Sequence, residues 1–282
     1  MYTPADTLTP DALAALFTRG YAGYHVPVHL NGEQMAAHIT NNDIDLSASQ
    51  VAHVDGEAVG LCLLGVRGQR GWIGGVGVAE MHRRHGIGRG LMQAVQAAAR
   101  ERGMTHIQLE VLTPNENAKR LYEALGYQVT RRLLIIEAAA PPNNASTQDD
   151  LATRQFHAVT PADALAHYDA FHAVANPWQR ASESLRHLPA DTPAWVALVG
   201  DAPAAYAIAR ITAQAVQWLD VACAPDQHDA LRGLLQHIHQ QHPLPARLVN
   251  LDAQDVAWGV LESLGYRETL AQWEMVLQLE TL

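Results

Sequence analysis

The sequence contains little cysteine and almost no lysine. Cys62 and Cys223 are its only cysteines, and their wide separation fits neither a disulfide framework nor a zinc site. Lys119 is its only lysine and is followed by Arg120, so the Gly-Lys-Ser/Thr sequence of a P-loop is missing. These absences exclude a Walker-type nucleotide site and a disulfide scaffold.

Long apolar runs are also missing. No run approaches the ~20 residues of a membrane-spanning helix, and Met1–Pro10 lacks the pattern of a signal peptide. The net charge of -10 argues against nucleic-acid binding, because phosphate backbones attract basic surfaces. We therefore expect a cytoplasmic protein without a membrane or nucleic-acid partner.

Histidine, a common metal ligand, is plentiful in the sequence. His237, His239 and His242 form a cluster on a predicted helix, where positions 239 and 242 share a face and position 237 points away. No carboxylate completes the cluster nearby. We predict that the protein has no metal site.

A glycine-rich basic segment, Arg83–Gly90, lies between a strand-like run, Trp72–Val78, and a helix-like run, Leu91–Arg102. Glycine lets the backbone turn its N–H groups inward, and a helix N-terminus adds the positive end of its dipole, so such a loop suits a phosphate. A dinucleotide-binding loop needs glycine or alanine where Leu91 stands, but Glu110 occupies the position of its acidic residue. The leucine weakens the interpretation as a dinucleotide-binding loop, but the glutamate leaves it open.

A second segment follows the first in the chain. Leu109–Leu112 predicts a strand, and Asn115–Tyr127 predicts a helix closed by glycine. Arg-x-x-Gly-x-Gly at 83–88, followed by Asn-x-x-Ala-x-x-x-Tyr at 115–122 and Gly-Tyr, resembles the paired motifs of the GNAT acetyltransferases.

This resemblance implies acetyl-CoA as co-substrate. It places the pantetheine arm beside Gly75–Val78, an oxyanion-binding N–H near Val78, and the pyrophosphate over the amides of 84–89. The expected cofactor-binding residues are Val76, Gly77, Val78, Arg83, Arg84, His85, Gly86, Ile87, Gly88, Arg89 and Asn115.

Acyl transfer from a thioester to an amine needs a proton donor for the thiolate and a base for the amine. A phenol near pKa 10 stays protonated at neutral pH and can protonate a thiolate, so Tyr122 is the candidate acid. Alternatively, Tyr122 is only a helix-face aromatic residue packed on the sheet.

Glu110 is the candidate base, because the Leu-Glu-Val strand resembles that of the N-terminal alanine acetyltransferases of ribosomal proteins, where a glutamate deprotonates the amine directly or through water. It could equally be a solvent-facing strand residue or an anchor for the substrate amine. His106 on the same strand is a weaker candidate.

The chain repeats one pattern twice. Glu123–Tyr127 recurs as Glu262–Tyr266, and each half predicts two helices, a three-stranded meander, then helix, strand, helix, strand. We expect two tandem GNAT-like α/β domains, each a mixed, mostly antiparallel sheet flanked by helices, at 1–138 and 154–282. The Pro- and Asn-rich segment 139–153 predicts a linker.

The second copy lacks the candidate site. Asp226–Leu231 places carboxylates where a pyrophosphate would lie, and the sequence repeat puts Leu261 opposite Tyr122 and Gln254 opposite Asn115. We therefore predict an intact N-terminal catalytic copy and a degenerate C-terminal copy that does not bind coenzyme A and instead completes the cleft, stabilises the chain or mediates a homodimer.

The predicted function is N-acetyl transfer to a primary amine of a small molecule or a peptide terminus, without a covalent enzyme intermediate. The alternative is a non-catalytic acyl-CoA sensor or interaction protein. Arg19–Pro27, between the first two predicted helices, is either an acceptor wall or a tyrosine-rich loop packed over the sheet.

Overall fold

The computed structural model describes residues 1–24, 28–139 and 154–280. The chain divides into two compact units. Unit 1 comprises Met1–Thr130 with Trp273–Leu282, and unit 2 comprises Arg131–Gln272. The predicted linker lies outside the described residues except for Ala139. Along the described ranges, no helix has the length and apolar character needed to cross a membrane.

Unit 1 follows the predicted order of elements, with one short strand added at its start. The elements are β1 (Tyr2–Pro4), α1 (Pro10–Gly20), α2 (Gly32–Asn41), β2 (Gln50–Val54), β3 (Glu57–Arg67), β4 (Arg70–Val78), α3 (Ile87–Glu101), β5 (His106–Leu112), α4 (Glu116–Glu123) and the start of β6 (Gln128–Ala138).

Unit 2 repeats this order, with the counterpart of α2 broken into short helical turns. Its elements are β7 (Arg154–Val159), α5 (Pro161–Leu165), α6 (Tyr168–Phe171), α7 (Ser182–Leu185), β8 (Ala194–Val199), β9 (Ala202–Ile211), β10 (Val216–Cys223), α8 (His228–Gln241), β11 (Ala246–Asp252), α9 (Val256–Ser263) and the first half of β12 (Arg267–Gln278).

Each unit has the predicted mixed sheet flanked by helices. In unit 1 the strand order is β1-β2-β3-β4-β5, followed by the last part of β12. The β2–β3 hairpin turns at Asp55-Gly56, whose φ values of 50° and 84° suit a two-residue hairpin turn. β4 and β5 are parallel because α3 forms the crossover between them.

The two units divide differently from the predicted ranges. The Leu133–Ala138 part of β6 pairs with β11 and therefore belongs to unit 2. The end of β12 belongs to unit 1, where Met275 and Leu277 enter the core and the Leu279 N–H donates to the Thr105 carbonyl at 2.8 Å. Each unit is thus completed by a strand segment from the other half of the sequence.

The β4–β5 ladder is short, and this shapes the candidate site. Its register covers Arg70–Trp72 against His106–Gln108, and among the described residues no further β4–β5 pair is present. Beyond Trp72 and Gln108 the two strands no longer pair, which leaves a strand gap between β4 and β5. One core cluster packs α3 on one face of the sheet, and a second packs α1 and α2 on the other.

Candidate active site

α3 begins without a side chain covering its first amides. Within the described part of the chain, no side chain caps Gly86, which precedes the helix with φ 80°, and the first turn contains no acidic residue. Arg84 also adopts a left-handed conformation, with φ 66°. Left-handed residues in such a loop direct neighbouring N–H groups into a concavity that suits an anion.

The predicted basic residues of this loop differ in their surroundings. The Arg83 Nε donates to the Val78 carbonyl at 2.9 Å, and its Nη2 donates to the carbonyls of Ala22 at 2.6 Å and Gly20 at 3.1 Å. Its guanidinium therefore ties the end of β4 to the end of α1. Arg84, His85 and Arg89 are exposed, so their charged groups face solvent beside the uncapped amides.

The Val76–Val78 end of β4 forms one wall of the strand gap. On its other side β4 pairs with β3, with Val76 opposite Cys62 and Val78 opposite Gly60. The Val76 N–H donates to the phenol of Tyr21, although burial dominates and raises the pKa of Tyr21 above its usual value. A protein hydroxyl thus already satisfies one amide of the expected pantetheine strand.

Tyr122 lies on α4 and is 7% exposed. Burial raises its pKa well above the usual value, and the nearby phenols of Tyr21 and Tyr24 raise it further. Its phenol is therefore neutral at physiological pH, as a general acid must be.

Asn115 caps α4. Its Oδ1 accepts from the Ala118 N–H at 3.2 Å, and its side chain also hydrogen-bonds the phenol of Tyr24. The Tyr24 phenol further accepts from the Leu112 backbone, at the end of β5, although burial is the larger effect and raises its pKa. Asn115 therefore has two protein partners, and its contact with a cofactor stays a prediction.

Glu110 extends from β5 on the face opposite Leu109 and Val111, which are buried in the core cluster beneath α3. It lies beyond the last β4–β5 pair, at the strand divergence. The Trp72 Nε1 donates to the Glu110 Oε2 at 2.7 Å. The carboxylate is thus held by a buried indole.

His106, the weaker base candidate, pairs with Arg70 at the opposite end of the ladder. It lies four positions before Glu110 on β5, which corresponds to roughly 13 Å. Burial lowers its pKa, and the charge of Arg70 lowers it further. This position takes His106 away from the strand gap.

Sequence reasoning missed His38 and Trp72. The His38 Nε2 hydrogen-bonds the Gly74 carbonyl at 2.9 Å, and the Asn42 Nδ2 donates to its Nδ1 at 3.2 Å. Burial lowers the pKa of His38, so this ring is neutral at pH 7. The β4–β5 register, which the sequence does not specify, would have been needed to place Trp72 beside Glu110.

The first part of the proposed acceptor loop faces this region. Tyr21 stacks on Phe17 with ring centroids 4.5 Å apart, and Tyr24 meets Tyr21 edge-on at 5.1 Å. The remainder of the predicted wall, 25–27, lies outside the described residues. The described tyrosines pack on α1 and on each other, and a role of this loop as an acceptor wall stays a prediction.

The corresponding gap in unit 2 is filled by protein. β10 and β11 pair only over Val216–Trp218 and Ala246–Leu248. Beyond these pairs the buried Arg180 donates from Nη2 to Asp220 on β10 at 2.6 Å and from Nη1 to the Asn250 carbonyl on β11 at 3.2 Å. The guanidinium therefore bridges the two diverging strands.

The helix starts of unit 2 also differ from those of unit 1. Asp229 lies in the first turn of α8, where its carboxylate pairs with Arg232. Asp255 caps α9 by accepting from the Ala257 N–H at 2.9 Å, so the structural counterpart of Asn115 is Asp255, and the sequence alignment with Gln254 was wrong by one residue.

The described residues contain no group of three or more His, Cys, Asp or Glu side chains that could hold a metal ion. In the predicted histidine cluster, His239 is buried and its Nε2 hydrogen-bonds the Tyr266 hydroxyl at 2.7 Å. His237 instead stacks on Phe156, with ring centroids 4.9 Å apart. Each of these two rings thus has a partner other than a metal.

Part of the chain matches a known protein family. Residues 20–127 match the model of the acetyltransferase (GNAT) family. The matched segment lies in unit 1 and includes both predicted motifs.

Similar solved structures cover nearly the whole chain. A GCN5-related N-acetyltransferase from Sphaerobacter thermophilus has 15% identity and a TM-score of 0.69, over 99% of this chain and 95% of that one. A tandem GNAT protein from the clavulanic acid biosynthesis pathway has 14% identity and a TM-score of 0.67, over 99% and 98%. A GCN5-related N-acetyltransferase from Anabaena variabilis has 15% identity and a TM-score of 0.69, over 98% and 72%. Residues 20–127 therefore form a GNAT-family acetyltransferase domain, and the chain shares its fold with a tandem GNAT protein.

Proposed function

We propose that unit 1 transfers an acetyl group from acetyl-CoA to a primary amine of a small molecule or a peptide terminus by direct attack. The observation that carries this proposal is that β4 and β5 stop pairing two residues before Glu110, while α3, which follows β4, begins without a side-chain cap among the described residues. The buried, neutral phenol of Tyr122 supports its role as the acid. The family match over this segment supports acetyl transfer as the reaction.

The loop before α3 fits the anionic part of acetyl-CoA. The first amides of α3 and the exposed Arg84 and Arg89 supply hydrogen-bond donors and positive charge to a pyrophosphate. Gly88 leaves room for a close approach, since even an added Cβ would meet its nearest neighbour at 3.8 Å. When bound, the thioester supplies the activated acetyl group.

The protein's own groups handle the protons. Glu110 accepts a proton from the acceptor ammonium, directly or through water, so that the neutral nitrogen can form the new C–N bond. A backbone N–H near Val78 stabilises the oxyanion. Tyr122 gives its proton to the departing thiolate as the C–S bond breaks, and the phenolate then recovers the second proton lost by the nitrogen.

Direct transfer is supported by the state of the two cysteines. Burial raises the pKa of Cys62 far above its usual value. Burial, assisted by Asp255, raises that of Cys223 to about 11. Both thiols are protonated at neutral pH, and a thiol is a much weaker nucleophile than a thiolate. An acyl-cysteine intermediate on either residue is therefore disfavoured.

We further propose that unit 2 does not bind coenzyme A. Arg180 and Asp220 fill the gap between β10 and β11, and Asp229 places a carboxylate in the first turn of α8. A pantetheine arm would have to displace a buried ion pair, and a pyrophosphate would meet a like charge. One cofactor per chain is expected. The cytoplasmic location, the homodimer and the acceptor's identity stay predictions.

The test is a thiol-release assay over a panel of primary amines, combined with calorimetric titration of acetyl-CoA. Tyr122→Phe is compared with Tyr127→Phe, a matched control on the neighbouring buried ring, 6.0 Å away between centroids. We expect Tyr122→Phe to lose roughly 10²–10⁴ of kcat, the usual contribution of a general acid, while the control keeps its rate. Binding of acetyl-CoA without amine-dependent thiol release would instead support the sensor function, and absence of binding would refute both.

A further inference from the structure

The indole of Trp72 bridges β4 and β5 at the point where their pairing stops. Trp72 is the last β4 residue in the ladder, opposite Gln108, and Glu110 lies two residues further along β5. The 2.7 Å hydrogen bond from the Trp72 Nε1 to the Glu110 Oε2 spans this interval. The side chain of the candidate base is thus oriented from the neighbouring strand.

Trp72 is itself held rigidly. It is 2% exposed, and a Cβ added to Gly74 would lie only 2.7 Å from its ring. The His38 ring meets it edge-on, with centroids 6.1 Å apart, and is fixed in turn by its hydrogen bond to the Gly74 carbonyl. An indole locked in this way delivers its N–H at a fixed position.

We propose that Trp72 is the positioning residue of the transfer reaction. Its indole holds Glu110 as an oriented, ionised carboxylate, which accepts a proton from the substrate amine or anchors that amine. This inference rests on the proposed function. An N–H donor stabilises the charged form of a carboxyl group, because an ionised carboxylate is the better hydrogen-bond acceptor.

The charges around Glu110 make this donor important. On the same face of β5, Gln108 donates to Glu274 of β12 at 3.5 Å, and Glu274 is buried. A second buried carboxylate on this face favours protonation of Glu110, which the indole N–H opposes. On the α2 side His38 is neutral, because burial lowers its pKa.

The remaining titratable groups that face this region contribute little charge. Burial raises the pKa of Tyr24, so its phenol at the end of β5 is neutral at physiological pH. Arg70 and His106 lie at the opposite end of the ladder, at its first pair. Among the described residues, the Trp72 Nε1 donates a hydrogen bond to the Glu110 carboxylate at 2.7 Å.

The test compares Trp72→Phe with Trp218→Phe. Trp218 is a matched control in unit 2, since its buried Nε1 donates to the Tyr266 hydroxyl at 2.6 Å. We expect the acidic limb of kcat/KM to move up by about one pH unit in Trp72→Phe, the effect of losing one hydrogen bond to a charged group. The same amine serves for all proteins, so its own ionisation cancels. Acetyl-CoA affinity should be unchanged, and Trp218→Phe should keep the wild-type profile.

A second measurement does not depend on turnover. In protein labelled with ¹³C at the glutamate carboxyl groups, the resonance that disappears in Glu110→Gln should titrate about one pH unit higher in Trp72→Phe than in the wild type. If Trp72→Phe does not fold, benzothienylalanine at position 72 keeps the ring shape without the N–H. A wild-type profile and titration in these variants would overturn the inference. A shifted titration in a protein that turns over no amine would refute the proposed function alone.

Discussion

Gly20, the last residue of α1, and Gly77 of β4 contact each other backbone to backbone. A Cβ added to either would lie 3.0 Å from the main chain of the other. The expected pantetheine strand is thus braced directly by the helix that precedes Tyr21 and Tyr24. Side chains of any size at these two positions would separate the helix from the strand.

This contact predicts that Gly77→Ala is destabilising. Because both neighbours are backbone, the added methyl group forces α1 or β4 to move, and overpacking of this kind costs about 1–3 kcal/mol. The free energy of unfolding, measured in urea, should fall by that amount, and the KM for acetyl-CoA should rise. Gly259→Ala, inside α9 where an added Cβ meets nothing within 4 Å, is the control and should leave stability unchanged or raise it by up to ~1 kcal/mol through helix propensity.

The α3 start predicts opposite effects on binding and stability. Arg89 lies in the first helical turn, where its positive charge opposes the helix dipole unless an anion is bound. Arg89→Gln should stabilise the free protein by ~0.3–1 kcal/mol and weaken acetyl-CoA binding about tenfold. Calorimetric titration and thermal unfolding measure the two effects.

Arg100, in the last turn of α3, is the matched control for that experiment. There the positive charge favours the helix dipole, so Arg100→Gln should destabilise the protein slightly and leave acetyl-CoA affinity unchanged. Equal losses of affinity in the two variants would mean that Arg89 acts only through the net charge of the protein.

The buried phenol of Tyr122 predicts the alkaline behaviour of the enzyme. Burial and the neighbouring phenols raise its pKa well above the usual value, so it stays protonated throughout the neutral and mildly alkaline range. The turnover number should therefore show no decline from loss of this proton between about pH 7 and 10, where an ordinary phenol begins to ionise. A fall in kcat centred near an ordinary tyrosine pKa, absent in Tyr122→Phe, would contradict the assignment.

The ion pair in unit 2 predicts an acid-sensitive contribution to stability. The pKa of Asp220 is lowered to about 2, since His172, Arg180 and their hydrogen bonds outweigh the burial that would raise it. A depressed folded-state pKa stabilises the protein above the unfolded value of about 3.9 and loses this contribution as the pH falls through the folded value. The free energy of unfolding should decrease from about pH 4 to pH 2.

Arg180→Leu should cost up to about 3–5 kcal/mol at neutral pH, because the buried Asp220 carboxylate loses its guanidinium partner and keeps its hydrogen bonds with His172 and Tyr206. The double variant Arg180→Leu, Asp220→Asn should recover part of that loss. Arg232→Ala, which breaks the exposed pair with Asp229, is the control and should change stability by less than about 1 kcal/mol. A small effect of Arg180→Leu would show that water reaches the strand gap of unit 2.

Most of the elements, and the local features of the candidate site, could be predicted from the sequence. The Gly86 turn before α3, the Asp55-Gly56 hairpin and the cap at Asn115 depend on residues close together in the chain, where glycine tolerance and side-chain capping act locally. The repeated Leu-Gly-Tyr segments likewise marked the tandem fold.

Features that depend on strand pairing between distant parts of the chain could be seen only in the tertiary structure. Strand edges are chemically alike, so the sequence did not show that Trp273–Leu282 completes unit 1 or that Arg131–Ala138 belongs to unit 2. The same holds for the approach of Trp72 to Glu110, for Gly20 against Gly77, and for Arg180 between the diverging strands of unit 2. Each joins residues far apart in the chain, and only the register of the folded sheets brings them within contact.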